Sequence, residues 1–171
     1  PTLKKLPVEA DIPEYIANIG YLQDATEAQK AIGDLVLIAF YYLLRVGEYT
    51  TKATRNNSKR TVQFKIEDIT FFSTNKKGIL RQLPRSASDA DLMAAQSATL
   101  KLDNQKNGWK GVCIHQEQNG DTITCPVRAL AQRIIHIRNN TTDWRTTLSA
   151  IFDNNTRYDV TDKDIRTHMK Y

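Results

Sequence analysis

The sequence predicts an α+β fold, mainly helical around a small antiparallel sheet, and three observations predict it. Apolar residues recur at helical spacing after Thr26 and again after Pro126. Short alternating segments lie between them at 61–66, 68–73, 78–83, 98–102, 111–116 and 121–124. The pair Asn119-Gly120 is a hairpin turn signal separating the last two. Length and composition agree: 171 residues, 40% apolar and 25% charged, with seven Gly and five Pro, describe one globular domain over 1–171.

In chain order, Asp11 with Glu14 three residues on starts a first helix carrying Ile12, Tyr15, Ile16 and Ile19, which Gly20 ends. This lies within a lead-in segment, 1–25. Thr26 caps a second helix whose positions Ile32, Leu35, Val36, Ala39, Phe40 and Leu43 keep a 3.6 period, with further apolar residues between, so it is buried on most sides. Arg45 and Gly47 mark its end, placing a guanidinium at the last turn of the most buried element, where it requires an acidic or phosphate partner.

The run Lys52, Arg55, Asn56, Asn57, Ser58, Lys59 and Arg60 is a basic loop, and 85–96 a connection with one helical turn. Pro126 stands at a helix N1 position, followed by the stripe Val127, Leu130, Ile134 and Ile137, with Arg128, Arg133 and Arg138 on a basic outer side. After a loop over 139–147 and a short buried piece at 148–152, Thr161 with Asp164 caps a final helix running to Met169.

The charge balance, 24 Lys+Arg against 19 Asp+Glu, gives +5, which suits a polyanionic partner without demonstrating one. No apolar run reaches the roughly 20 residues of a membrane span, since 35–44 stops at Arg45. Cys113 and Cys125 are too few for a disulfide framework and read as small core residues. With no charged-then-apolar leader, they favour a reducing intracellular compartment, nuclear in a eukaryote. His115, His136 and His168 are widely spaced, and no CxxC, HExxH, glycine-rich phosphate loop or GxSxG occurs, so no metal or cofactor is expected.

Two segments carry chemistry: Leu43-Leu44-Arg45-Val46-Gly47-Glu48-Tyr49, and Gln105-Lys106-Asn107-Gly108-Trp109-Lys110 in a turn between strands. In this order, with about sixty residues of sheet between them, they resemble the catalytic domain of tyrosine recombinases, the phage-integrase-like enzymes that cut and rejoin DNA. The first is similar to that family's active-site Arg followed by Gly or Ser and then Glu, the second to its Lys-bearing hairpin. Cys125-Pro126-Val127-Arg128-Ala129-Leu130 is similar to the helix start after the family's three-stranded sheet, notably in eukaryotic mobile-element members. Val160-Thr161-Asp162-Lys163-Asp164-Ile165 resembles the helix preceding its second active-site block. The resemblance covers about residues 26 to 171 and implies the amino-terminal portion of such a domain, partial and with a three-stranded antiparallel sheet.

It further implies roles. A phosphodiester under attack gathers charge on its non-bridging oxygens, and a rigid guanidinium donates two parallel hydrogen bonds to them, as Arg45 would. The leaving 5′-oxygen needs a proton, which Lys106, or Lys110 in another hairpin register, would supply as general acid. Glu48 would orient the Arg45 neighbourhood, while Lys52, Arg55, Lys59, Arg60, Trp109 and Arg128 would contact DNA. Duplex DNA is the implied partner, and the family works as a tetramer on two duplexes.

Plainer alternatives stand beside each role. Arg45 could cap its own helix and pair with Glu48; Lys106 and Lys110 could be solvated turn residues; Trp109 could cover the sheet edge. The family's His-x-x-Arg block and tyrosine nucleophile are missing, since His168-Met169-Lys170-Tyr171 has Tyr where Arg belongs. Alone the chain is expected not to form the phosphotyrosyl intermediate. It reads as a piece of a longer recombinase or as a catalytically dead DNA- or protein-binding relic.

Overall fold

The computed structural model describes residues 11–53, 62–102 and 112–169. Helix α1, Asp11–Gly20, packs against α2, Glu27–Tyr42. The two approach closely because Gly33 has no side chain: a Cβ there would lie 3.2 Å from Ala17 Cα and 3.3 Å from Ile16 O. Thr26 caps α2 as expected. Its hydroxyl accepts from Gln29 N at 3.1 Å, and the Gln29 side chain accepts from Thr26 N at 2.9 Å. Residues 31 to 38 of α2 are all buried, which makes it the central helix.

The end of α2 differs from expectation. The helix stops at Tyr42, and Leu43 takes a left-handed conformation (φ 57°) that directs its own N–H and that of Leu44 back to Ala39 O. Arg45 therefore lies outside the last turn of α2. It is the N-cap of a separate short helix, α3, Val46–Tyr49, which contains Gly47. Leu43 is 87% exposed, so this stop is built without the glycine that usually relieves a positive φ.

The principal sheet is antiparallel with four strands, one more than expected, ordered β2-β1-β3-β4. Strand β1 is Ile69–Thr74, β2 Leu80–Gln82, β3 Ser97–Lys101 and β4 Cys113–Glu117. The fourth member, beyond the three-stranded sheet that the resemblance implies, is the short edge strand β2 within the 78–83 segment expected to be extended, and its three residues are all exposed. The turn into it is held by Asn75 Oδ1, which accepts from Lys77 N and Ile79 N, with Gly78 at φ 76°. The helical turn expected in the 85–96 connection is α4, Asp89–Met93, capped by Ser88.

Two expected strands are absent from the described residues. Over 62–68 the chain joins no strand ladder: it makes an isolated bridge from Lys65 to Thr147, separate main-chain bonds to Glu48, Thr146 and Trp144, and a 3₁₀ turn at Ile66–Asp68. Over 121–124 the Asp121 carboxylate captures Ile123 N at 2.7 Å and Thr124 N at 2.9 Å, which curls the backbone and forbids a hairpin partner for β4. Those N–H groups also hold the Asp121 carboxyl below its ordinary pKa.

Helix α5, Pro126–Arg138, begins with Pro126 as expected. A hairpin then follows where only a buried piece was expected: β5, Ala150–Asp153, and β6, Thr156–Asp159, turn through Asn154 (φ 49°) and Asn155 (φ 61°). The last element, α6, Asp162–His168, is capped reciprocally by Thr161 and Asp164. One core joins α2, α5, the sheet and β5 through Leu35, Ile38, Leu100, Leu130, Ile134 and Ile151. Cys125 belongs to it, but Cys113 is exposed on β4, contrary to the core role expected for both. Among the described residues no helix is long and apolar enough to cross a membrane.

Candidate functional site

The neighbourhood of Arg45 is assembled by main-chain bonds. Arg45 N donates to Glu48 Oε2 at 2.8 Å, and Glu48 N donates back to Arg45 O at 2.8 Å. Glu48 is 5% exposed, and its carbonyl also accepts from Phe64 N. Its carboxyl thus fixes the Arg45 backbone and makes no ion pair with the guanidinium. That guanidinium is exposed and forms no hydrogen bond or ion pair with any described residue. The capping alternative for Arg45 differs from what is found: the residue is the N-cap of α3 and not a cap of α2, its side chain makes no capping bond, and the Glu48 carboxyl serves the backbone.

Three elements converge on this position. The Tyr42 hydroxyl, fully buried just before it, donates to Ala98 O on β3 at 2.8 Å. Gln116 Nε2 on β4 donates to Tyr41 O at 2.9 Å, tying the β3–β4 pair to the end of α2. Downstream, Thr51 bridges to Thr161: Thr51 N donates to Val160 O, and Asp162 N donates to Thr51 O, so the chain leaving Arg45 runs beside the start of α6. Asp162 Oδ1 also accepts from Ala53 N. A polar cluster of Thr51, Gln63, Ser149 and Asp159 packs beneath, with contacts of 3.1 to 3.3 Å from Ser149 to the other three.

Strands β3 and β4 pair from Ser97↔Glu117 to Lys101↔Cys113, extended by Leu102 N donating to Val112 O at 2.8 Å. They are therefore the two arms of the expected hairpin. Its connection, with Lys106, Trp109 and Lys110, lies outside the described residues, as do Arg55, Lys59 and Arg60. Lys52 is exposed just after α3. Arg128 is half-buried on α5, and its Nε is shut from solvent with no hydrogen-bond partner among the described residues.

The basic outer side expected of α5 is not what the structure places there. Arg133 is 3% exposed and donates from Nε to Leu148 O at 3.1 Å and from its terminal nitrogen to Leu148 O and Ala150 O, so it serves as an internal brace for the entry to β5. Arg138 is bound to Asp89 at 2.5 Å and to Arg85 O, while Arg85 lies 4.8 Å over the ring of Trp144.

A second polar centre was not anticipated from the sequence. A cleft of about 410 Å³ between α1, α2 and α5 is lined by Tyr21, Glu27, Lys30, Asp34, Gln132, Arg133 and His136, among others. Burial pushes the Asp34 carboxyl up to about 8, against the pull of Arg133. Burial likewise brings Arg133 down to about 10, opposed by Asp34. His136 Nε2 accepts from Phe152 N at 3.0 Å, and burial together with Arg133 holds its pKa below the ordinary value. The signal for this centre lay in Asp34, a lone acid within an otherwise apolar stretch of α2. Among the described residues no group of three or more His, Cys, Asp or Glu is placed to share a metal ion.

No family model matches the chain, and no curated protein or solved structure matches it.

Proposed function

We propose that this chain is the DNA-facing amino-terminal portion of a tyrosine recombinase catalytic domain, with Arg45 as the guanidinium that grips the scissile phosphate. The observation that carries this reading is an exposed arginine on a rigid mount with no counter-charge among the described residues. Its backbone is clamped by the buried Glu48, while its side chain is left for an external anion. Arg133 and Arg138, by contrast, are spent on internal partners, whereas Arg81 on the edge strand β2 shares the exposure of Arg45. An uncommitted guanidinium of this kind suits bidentate phosphate recognition.

The surroundings support the same reading. The β3–β4 hairpin, whose connection holds Lys106 and Lys110, is anchored to α2 four residues before Arg45 by the Gln116 bond to Tyr41. The start of α6 lies beside Thr51, so the first turn of α6 belongs to the same neighbourhood. Lys52 would add a phosphate contact, and Arg128 a contact through the outer nitrogens of its guanidinium. The activity proposed for the chain itself is binding to duplex DNA. An intracellular setting, nuclear in a eukaryote, goes with that reading.

The test is a gel-shift titration on duplex DNA over a range of salt. Binding should weaken steeply as salt rises, and each phosphate contact contributes about 0.9 to the slope of log K against log salt. Arg45→Ala should weaken binding and lower that slope by about one contact. Absence of binding at low salt would overturn the reading. Binding unchanged by Arg45→Ala would leave only a basic module that holds DNA by other residues.

A further inference from the structure

The Gln132 side chain occupies an unusual position in the cleft between α2 and α5. One end of its amide lies 2.7 Å from Asp34 Oδ1 and 3.2 Å from Oδ2, and the other lies 2.8 Å from Tyr21 Oη. The Tyr21 hydroxyl is in turn 2.8 Å from Thr122 O. An amide has a donor end and an acceptor end, and a phenol has a single hydrogen, so these three contacts permit only two directions of hydrogen bonding.

When Asp34 carries a proton, its O–H donates to Gln132 Oε1, Gln132 Nε2 donates to Tyr21 Oη, and the Tyr21 hydrogen goes to Thr122 O. The relay then runs one way and every group in it is used. When Asp34 is ionised it has nothing to donate, and an oxygen facing it at 2.7 Å is repelled. The amide must turn over: Nε2 donates to both carboxylate oxygens, and Oε1 takes the Tyr21 hydrogen. Thr122 O then loses its partner, because the phenol cannot donate twice.

We infer that a single proton on Asp34 latches the α1–α2 connection to the β4–α5 connection, through a Gln132 amide whose direction reports whether that proton is present. The latch spans Tyr21 and Thr122, 101 residues apart in sequence. Its release removes one tie on the segment that joins β4 to α5, while Gln118 N still holds the start of that segment to Gln96 O. This inference does not depend on the recombinase reading.

The charges around Asp34 set when the latch switches. On α2 itself Glu27 and Lys30 line the same cleft; from α5 come Arg133 and His136; α1 contributes only Ala17 and Gly20. Beyond them, Asp153 at the end of β5 acts on His136, and Asp159 at the end of β6 acts on Arg133. Arg133 is the cation that would favour ionised Asp34, but its donors are directed to the Leu148 and Ala150 carbonyls. Desolvation therefore prevails, and the protonated direction is the resting one.

The experiment is an NMR titration of the chain, following the Asp34 side-chain carboxyl carbon, the Gln132 side-chain amide and the Thr122 carbonyl carbon. All three should move together with one midpoint well above the ordinary carboxylate value of about 4. In Asp34→Asn, whose amide can donate to Gln132 Oε1 at any pH, the Gln132 and Thr122 signals should stay flat from about pH 5 to about pH 9 and resemble those of the wild type at low pH. An ordinary midpoint for Asp34 would overturn the inference. So would Gln132 and Thr122 signals that ignore the Asp34 midpoint. Should the Asn variant fail to fold, the wild-type titration decides alone.

Discussion

Arg45 and Glu48 are three residues apart and have opposite consequences for stability. Glu48 is buried and satisfies the backbone N–H at the start of α3, so Glu48→Ala removes a capping bond and leaves a donor without its acceptor. We expect a loss of about 1–2 kcal/mol, measured as a lower urea midpoint. Arg45→Ala removes an exposed side chain with no partner among the described residues and should change stability by less than about 0.5 kcal/mol. An equal loss from both substitutions would contradict the division of labour proposed here. Gly33 is a third position with a definite expectation. A methyl group there meets the backbone of α1 at 3.2 Å, so Gly33→Ala should destabilise by about 1–3 kcal/mol despite its higher helix propensity, read as a fall in melting temperature.

Elements were legible wherever their signals were local. Four times an acid or amide three residues inside a helical turn reaches back to the cap N–H: Gln29 to Thr26, Glu48 to Arg45, Asp68 to Lys65 and Asp164 to Thr161. Two of these, together with Pro126, were enough to place α2, α5 and α6. The failures came from turns. Asn119-Gly120 has the residues of a hairpin, and Gly120 does take φ 79°, but Asp121 competes for the very N–H groups a returning strand would use. Conversely, Asn154 and Asn155 make a true two-residue hairpin turn that carries no glycine. Because both adopt positive φ, Asn155→Gly should stabilise the β5–β6 hairpin modestly, by about 0.5 kcal/mol, whereas Asn155→Val should cost more than about 1 kcal/mol. Thermal melts of the two variants should therefore shift in opposite directions.

At the scale of the molecule, the buried charges predict how stability follows pH. Asp34 ordinarily loses its proton near 3.8 but in the fold keeps it to about 8. Between those values the folded state holds one proton more than the unfolded, so the Asp34 contribution falls as pH rises. His136 acts in the other sense below its ordinary 6.5, because the fold resists its protonation. Above 6.5 and up to about 8 only Asp34 works among these two. The urea midpoint should decline across that window, and Asp34→Asn should remove the decline. A midpoint that rises there would refute the assignment.

The same scale explains why the cleft and the role of Arg133 were not legible. Helical spacing shows which residues share a face. It does not show that the carbonyls of Leu148 and Ala150, brought over by β5, wait on the far side for a guanidinium. Arg45 stood out in the sequence as the charge that closes an apolar run, yet its place on a separate short helix was not legible, because the left-handed Leu43 breaks α2 without a glycine to announce it.

The clamp on Arg45 grips only main-chain atoms, so position 45 behaves as a socket with an interchangeable head. Lysine, glutamine or a neutral isostere of arginine can be seated there without disturbing the mount. Differences among such variants would then measure the head group's own affinity for whatever anion it meets, free of any repacking of the scaffold.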